Sequence, residues 1–539
     1  RRRNRRENEL MVCRVRIRRL WKRLKDQSLS VEERCALEGL HDDWKQKRNG
    51  LRRAENARKR RKERRRVRKS FYQDPFKTAK EMLSPHVPTK LEVGKEVLDE
   101  YVRGVSSDPD REVDLGELPG LPEVSSPVVE LNRRPFTPYQ FRKILRRKRS
   151  FSRPGPNQIP YAVYKKCPWL FECLLDIMNA ASRANGKDFP LCWRVSDGVM
   201  IPKVASPKSD DIGDFRQIAL LNVEGKLFWA LVADRLYSYL VVNNSFISPA
   251  VQKGSMKKVA GCWEHTAMVW SALKDARRSR KSVAVLWLDL ANAYGSVPHK
   301  LIVFALERYH VHPDWIKLIM AYYNGLWGRS SSSGVSYDWM RYERGIFAGC
   351  TISVILFIAA FNVILEFVGV DGIERYRMAN DNRIELLRGF MDDVSILTKS
   401  VPMAKKALKR TEIAVEWARM KLKPGKSRSL VIQRGRSMNV EPFVVGGELV
   451  DGELVGGEEI PSLQRKPLRT LGRIYSPEVS DVWYKVELRK KLVDGLKTLN
   501  KSQARGAMKL WANHHILLQQ VRWDLMVYEI PVSFVEKLE

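Results

Sequence analysis

The side chains best placed to do chemistry are three aspartates. Phe390-Met391-Asp392-Asp393 holds two adjacent carboxylates, with Arg388-Gly389 before them and Val394-Ser395-Ile396-Leu397 after. Apolar residues on both sides of an acidic pair predict a β-hairpin with the carboxylates at its turn. Two adjacent like charges repel, so a hairpin that keeps them together calls for a cation at that place. The third carboxylate, Asp289, lies at the end of the nearly unbroken apolar run 282–290, which reads as a buried central strand. An aspartate at a strand end beside an acidic hairpin makes a three-carboxylate cluster. Such a cluster can hold two Mg²⁺ ions roughly 3.5–4 Å apart, the arrangement that serves in-line phosphoryl transfer.

Several further elements must position these groups. After Asp289 comes Ala291-Asn292-Ala293-Tyr294-Gly295, then a helical pattern with Leu301, Ile302, Phe304, Ala305 and Leu306 on its apolar side. Residues 352–370 are largely apolar but are interrupted by Asn362 and Glu366, so they predict a buried core helix rather than a membrane span. An amphipathic helix containing Ala407, Leu408, Ile413, Ala414, Trp417 and Ala418 follows the acidic hairpin. With 539 residues and 44% hydrophobic composition, the chain can build several domains with substantial cores. A formal charge of +35 points to a polyanionic partner, with nucleic acid the default and an acidic membrane surface the weaker alternative. Seven cysteines are scattered without a Cys-x-x-Cys pair, which argues for a reducing compartment and against a zinc site. No secretory signal is evident. The chain starts without methionine and is expected to be part of something longer.

Residues 1–70 carry 28 basic and 10 acidic side chains, about half of the whole excess. Their apolar spacing predicts two helices, the second opened by a capping box at Ser30-Val31-Glu32-Glu33. Charge this dense predicts an extension that grips RNA or DNA and can also act as a nuclear import signal. Residues 71–135 read as a connector with short helices and no chemistry.

In the order of these segments the chain resembles a reverse transcriptase, most closely that of a non-LTR (LINE-type) retrotransposon. The resemblance implies an α+β fold, the right-hand polymerase of fingers, palm and thumb, with a basic helical N-terminal extension. Fingers would span 136–280, the palm 281–475 and a helical thumb 476–539. Arg153-Pro154-Gly155-Pro156-Asn157-Gln158-Ile159-Pro160 resembles the family's Pro-Gly-Pro-Asp-Gly-Ile-Pro segment, with Asn157-Gln158 in place of Asp-Gly. Val199–Lys203 and Phe215–Asn222 resemble two finger strands, and there Lys203 and Arg216 match the family's triphosphate-binding cations. Gln217 replaces a frequent proline. Gln252-Lys253-Gly254 resembles a Gln-x-Gly turn near the template.

Asp289, Asp392 and Asp393 match the metal-binding catalytic carboxylates, and Tyr294 the aromatic gate that excludes a 2′-hydroxyl. Gly349 and Ser353 match the loop and helix that shape the nucleotide pocket, although Ala348 replaces a frequent glutamine and Val354 a proline. Lys426, with Lys423 as its rival, matches the proton donor to the leaving pyrophosphate. Leu471-Gly472-Arg473 resembles the hairpin that grips the primer end.

What the resemblance implies is an RNA-directed DNA polymerase that uses two Mg²⁺ ions, with Mn²⁺ as a substitute. Its partners would be an RNA template, a DNA primer or target and deoxynucleoside triphosphates, with no membrane. Copying would be primed at a chromosomal nick in the nucleus, after a cytoplasmic ribonucleoprotein stage. Two rival readings are an RNA-dependent RNA polymerase or intron maturase, and a domesticated copy that binds RNA without polymerising. Tyr294 and the Phe-Met-Asp-Asp hairpin argue against an RNA-dependent RNA polymerase. The intact aspartates argue against the domesticated copy.

Overall fold

The computed structural model describes residues 5–84, 89–187, 189–204, 206–332, 335–336, 338–370, 372–450 and 453–538. They fall into two compact units, residues 88–480 and residues 1–87 with 481–539.

The larger unit is mixed α and β, as expected, and contains two five-stranded sheets. The first sheet is made of β1 (Val195–Pro202), β2 (Phe215–Leu221), β4 (Trp327–Ser332), β5 (Val335–Ser336) and β6 (Met340–Arg341). Its order is β2-β1-β4-β5, with β6 also paired to β4. The second sheet is made of β3 (Val283–Leu288), β7 (Leu387–Phe390), β8 (Asp393–Thr398), β9 (Arg428–Gln433) and β10 (Arg436–Met438). Its order is β10-β9-β3-β8-β7 and every pairing is antiparallel.

The central strand β3 shows why its sequence is apolar without alternation. Ala284, Leu286 and Leu288 face the main core, while Val283, Val285 and Trp287 face a second cluster on the other side. Successive strand residues point to opposite faces, so covering both faces requires an apolar residue at every position. The helix Ser353–Val368 lies in the main core, buried apart from Val354 and Glu366. Its two polar interruptions are satisfied there. Asn362 donates to Glu366 (2.7 Å) and to the Tyr309 hydroxyl (2.9 Å), and Glu366 pairs with Arg308 (2.9 Å). Among the described residues, no helix is long and apolar enough to cross a membrane. Residues 89–135, read as a connector, contribute Leu91, Leu98, Val102, Leu118 and Leu131 to this core.

The smaller unit is helical. Arg5–Arg23 is followed by the 43-residue helix Val31–Gln73. The capping box is present, with Ser30 Oγ accepting from the Glu33 amide and Glu33 accepting from the Ser30 amide. Asp74 ends this helix and its carboxylate caps the next, Pro75–Leu83. Residues 71–83, the start of the segment read as a connector, pack on the C-terminal helices of this unit: Ala79 shares a small core with Leu499, Ala512, Ile516 and Leu517, and Phe71 and Phe76 meet Trp511 edge-on.

Candidate active site

The register of the second sheet brings the three aspartates to one edge. Leu288 of β3 pairs with Val394 of β8, so one step further along the ladder Asp289 lies across from Asp393. Asp393 also pairs with Phe390 of β7, which leaves Met391 and Asp392 as the hairpin turn. All three aspartates are half-buried. Burial, Asp392 and Asp289 raise the Asp393 carboxyl to about 7. Burial also raises Asp289 and Asp392, opposed by Lys426 and Lys423 at the first and Arg216 at the second. Among the described residues none of the three has an ion-pair partner. No three His, Cys, Asp or Glu side chains are closed into a ready metal cage among those residues either. The aspartates are therefore neighbours at one edge rather than a preformed coordination sphere. Hard carboxylate oxygens, partly desolvated and unneutralised, are the donor set that Mg²⁺ takes.

The hairpin turn is clamped from beneath. Met391 has φ +57, a left-handed conformation that a side chain rarely adopts. Gln252 holds it there. Its Oε1 accepts from the amides of Met391 (2.9 Å) and Gly254 (2.8 Å), and its Nε2 donates to the Met391 carbonyl (3.3 Å). On the backbone, Lys253 N donates to Gly389 O and Gly389 N to Val251 O. A Cβ at Gly254 would lie 2.4 Å from Met391 N. Gln252 was expected at the template; its side chain is wholly buried, and its amide group bonds the turn and Gly254. Lys253 is paired with Glu264 (2.9 Å).

Cations gather opposite the carboxylates. Lys203 follows the β1–β2 ladder, in which Ile201 pairs with Arg216. Burial lowers the Lys203 pKa, and so do the charges of Arg216, Lys426 and Lys423, each of which acts on Lys203. Among the described residues Arg216, Lys423 and Lys426 have no ion-pair partner. Lys423 N donates to Asp289 O (2.8 Å), and Asp289 N to the hydroxyl of buried Ser427 (3.1 Å). The short 3₁₀ turn Pro424–Lys426 thus fixes the backbone of Asp289 and both candidate proton donors together.

Tyr294 stacks on Phe357 with ring centroids 4.8 Å apart, and its hydroxyl feels Asp392, which together with burial raises its pKa well above the ordinary value. The 345–353 loop is pressed onto this region. Ile346 N donates to Tyr294 O and Ala219 N to Ala348 O (2.8 Å each). Gly349 has φ +120, and a Cβ there would lie 2.4 Å from Ala219 O; only glycine fits. Ser353 is buried at the start of its helix. Gln217, in place of the family's proline, sits in an unbroken strand and donates to Ser330 (2.9 Å) and Tyr342 (2.8 Å). Gln158, in place of glycine, has φ +58, so the left-handed backbone persists without glycine.

Leu471 and Gly472 (φ +46 and +81) form a two-residue turn between Leu468–Thr470 and Arg473–Tyr475. The hairpin packs Tyr475 on Trp287, ring centroids 5.1 Å apart, on the β3 face away from the main core. Reasoning from sequence missed Ser427, the Gln252 clamp and the left-handed Met391. Only the position of a glutamine two residues before Gly254 hinted at any of them.

The family model described as reverse transcriptase (RNA-dependent DNA polymerase) matches residues 201–474, just over half of the chain. Two curated relatives are similar over parts of it. One is the retrovirus-related Pol polyprotein from type-1 retrotransposable element R2 of Nasonia vitripennis, 23% identical over 283 residues, covering 51% of this chain and 26% of that protein. The other is the corresponding polyprotein from type-2 retrotransposable element R2DM of Drosophila melanogaster, 22% identical over 401 residues, covering 72% and 34%. The chain spans about a third or less of the length of these relatives.

Proposed function

The chain belongs to the reverse transcriptase (RNA-dependent DNA polymerase) family, and from that premise we propose that it copies RNA into DNA for an R2-like non-LTR retrotransposon. The observation that carries this reading is the convergence of Asp289, Asp392 and Asp393 at one end of the second sheet, with the 423–427 turn hydrogen-bonded to the Asp289 backbone. Carboxylates on one side and cations on the other suit a metal-bound triphosphate whose α-phosphate is to be attacked. In this reading the first sheet and its helices are the fingers, the second sheet is the palm and the C-terminal helices are the thumb.

Each side chain then has a task. Asp289, Asp392 and Asp393 would hold two Mg²⁺ ions, with Mn²⁺ as a substitute, which supply Lewis-acid activation and charge neutralisation. Lys203 and Arg216 neutralise the triphosphate, arginine by a planar fork that matches phosphate oxygens. Lys426 donates a proton to the leaving pyrophosphate. Tyr294, on Phe357, gives a rigid floor under the sugar that leaves no room for a 2′-hydroxyl. Gly349 lets the backbone approach the nucleotide, Ser353 anchors the helix beside it, and Leu471-Gly472 steadies the primer end. Lys253, just outside the clamp, would contact a template phosphate, while Gln252 positions the catalytic turn. Most of the rate enhancement would come from positioning and fixed charge. Priming at a nicked DNA target in the nucleus belongs to the same proposal.

The test is extension of a DNA primer on an RNA template with Mg²⁺. Wild type should extend with deoxynucleotides and hardly at all with ribonucleotides, and Tyr294→Ala should narrow that preference at least tenfold. Absence of any product, with salt-dependent RNA binding intact, would overturn the polymerase reading.

A further inference from the structure

The aspartates occupy one end of the second sheet. At the other end, where β3 begins and β9 finishes, a cleft of about 940 Å³ is lined by Arg277, Arg280, Arg434 and Arg436, with Val401 and Pro402 beside them. All four arginines are exposed, and no acidic residue lines the cleft. Among the described residues, none of the four has an ion-pair partner.

The backbone that presents them is interlocked. Gly435 N donates to Lys281 O (3.0 Å) and Arg434 N to Ser282 Oγ (3.2 Å). Gly435 has φ +81, and a Cβ there would lie 2.9 Å from Arg277 O, so the two turns meet backbone to backbone. Arg280 and Arg434 themselves have φ +51 and +48, a region that L-residues rarely adopt. Strain of this kind persists where surrounding structure holds it, and it clusters at ligand sites.

We infer that this cleft is a second nucleic-acid site, which takes the phosphodiester backbone of a strand outside the catalytic end. Six residues of β3 at about 3.3 Å each separate the two ends by about 20 Å. That exceeds the Debye length of about 8 Å at physiological ionic strength, so these arginines do not serve the triphosphate. Guanidinium forks match phosphate oxygens. The lining holds no aromatic ring, so bases find nothing to stack on and recognition is of backbone rather than sequence. A partner of this kind accounts for four arginines held together, two of them in a strained conformation, with no acid to neutralise them.

The inference rests on the nucleic-acid reading above, and the test separates the two. The full chain carrying Arg277→Gln, Arg280→Gln, Arg434→Gln and Arg436→Gln is compared with wild type and with the matching four Arg→Lys changes. Binding of a long single-stranded RNA and of a long DNA duplex is measured across a salt series, beside extension of a short primer–template. The glutamine variant should lose at least tenfold in affinity. Its slope of log affinity against log salt should fall by about 3, at about 0.7 per phosphate released on a single strand. The lysine variant should keep most of the slope, and short primer–template extension should be unchanged. Loss on RNA alone assigns the cleft to RNA, and loss on the duplex alone assigns it to DNA. Unchanged slope and affinity on both overturn the inference, whatever the extension assay gives. Should the fourfold variant lose its fold, the Arg277→Gln/Arg436→Gln pair, outside the left-handed positions, should still lower the slope by about 1.4, half of the fourfold fall.

Discussion

At one end of β3 stand Asp289, Asp392 and Asp393; at the other stand Arg277, Arg280, Arg434 and Arg436. The strand β3 joins the two ends, starting just after Arg277 and Arg280 and leading into Asp289, and between them it is apolar on both faces. The interior of β3, covered on both faces, leaves no place for an unpaired charge, because burying one costs several kcal/mol. The ends, where ladder pairing stops, are where charge can be displayed. The difference lies in how each end treats its own kind. The acidic end is half-buried, and burial pushes its carboxyls upward against the pull of the cations that face them. The basic end is exposed and faces no acid, so its charge is available to a large polyanion.

The comparison breaks most severely in the middle. Leu286, fully buried between the two ends, should cost about 2–5 kcal/mol on Leu286→Ala, and denaturant unfolding should show nucleotide addition and salt-dependent RNA binding lost together. Gln252→Leu should act on the acidic end alone. It strands the buried amides of Met391 and Gly254, and a small shift of the turn should slow nucleotide addition roughly 10- to 100-fold with RNA affinity unchanged.

A smaller effect comes from protonation. Asp393 titrates near 7 in the folded chain against 3.8 for an ordinary aspartate. Its protonated form is the favoured one in the fold, so this contribution to stability is present below pH 4 and lost as pH rises through 7. Without divalent metal, Asp393→Asn should therefore raise stability at pH 8 by on the order of 1–2 kcal/mol, with the gain vanishing towards pH 4. Thermal unfolding across that range checks the sign, and Mg²⁺ should stabilise wild type more than the variant. The smallest effect is local. Gln158→Gly, at φ +58, should stabilise by about 1 kcal/mol with no change in activity.

Much of the acidic end was legible in the sequence. The run 283–288 is apolar throughout because both faces of β3 are covered, and the Asp392-Asp393 pair between two apolar stretches marked the hairpin, although its turn is Met391-Asp392 with Asp393 already in the strand. The capping box at Ser30 was legible because it is local. What escaped were contacts between distant residues. Gln252 reaches Met391 across 139 residues, so a motif that suggested a template contact gave no sign of a clamp. The arginines at 277–280 and 434–436 look like scattered surface charge until the sheet joins them. Phe71 and Trp511, far apart in the chain, gave no sign that the terminal helices share a core.

The most direct measurement is single-turnover nucleotide addition by wild type and Asp392→Asn on one primer–template, beside the salt slope of RNA binding for both proteins. The account predicts a loss of roughly a thousandfold or more in the rate, since the reacting charge loses a metal ligand, with an unchanged slope. A variant within tenfold of the wild-type rate would contradict the claim that chemistry resides at the acidic end.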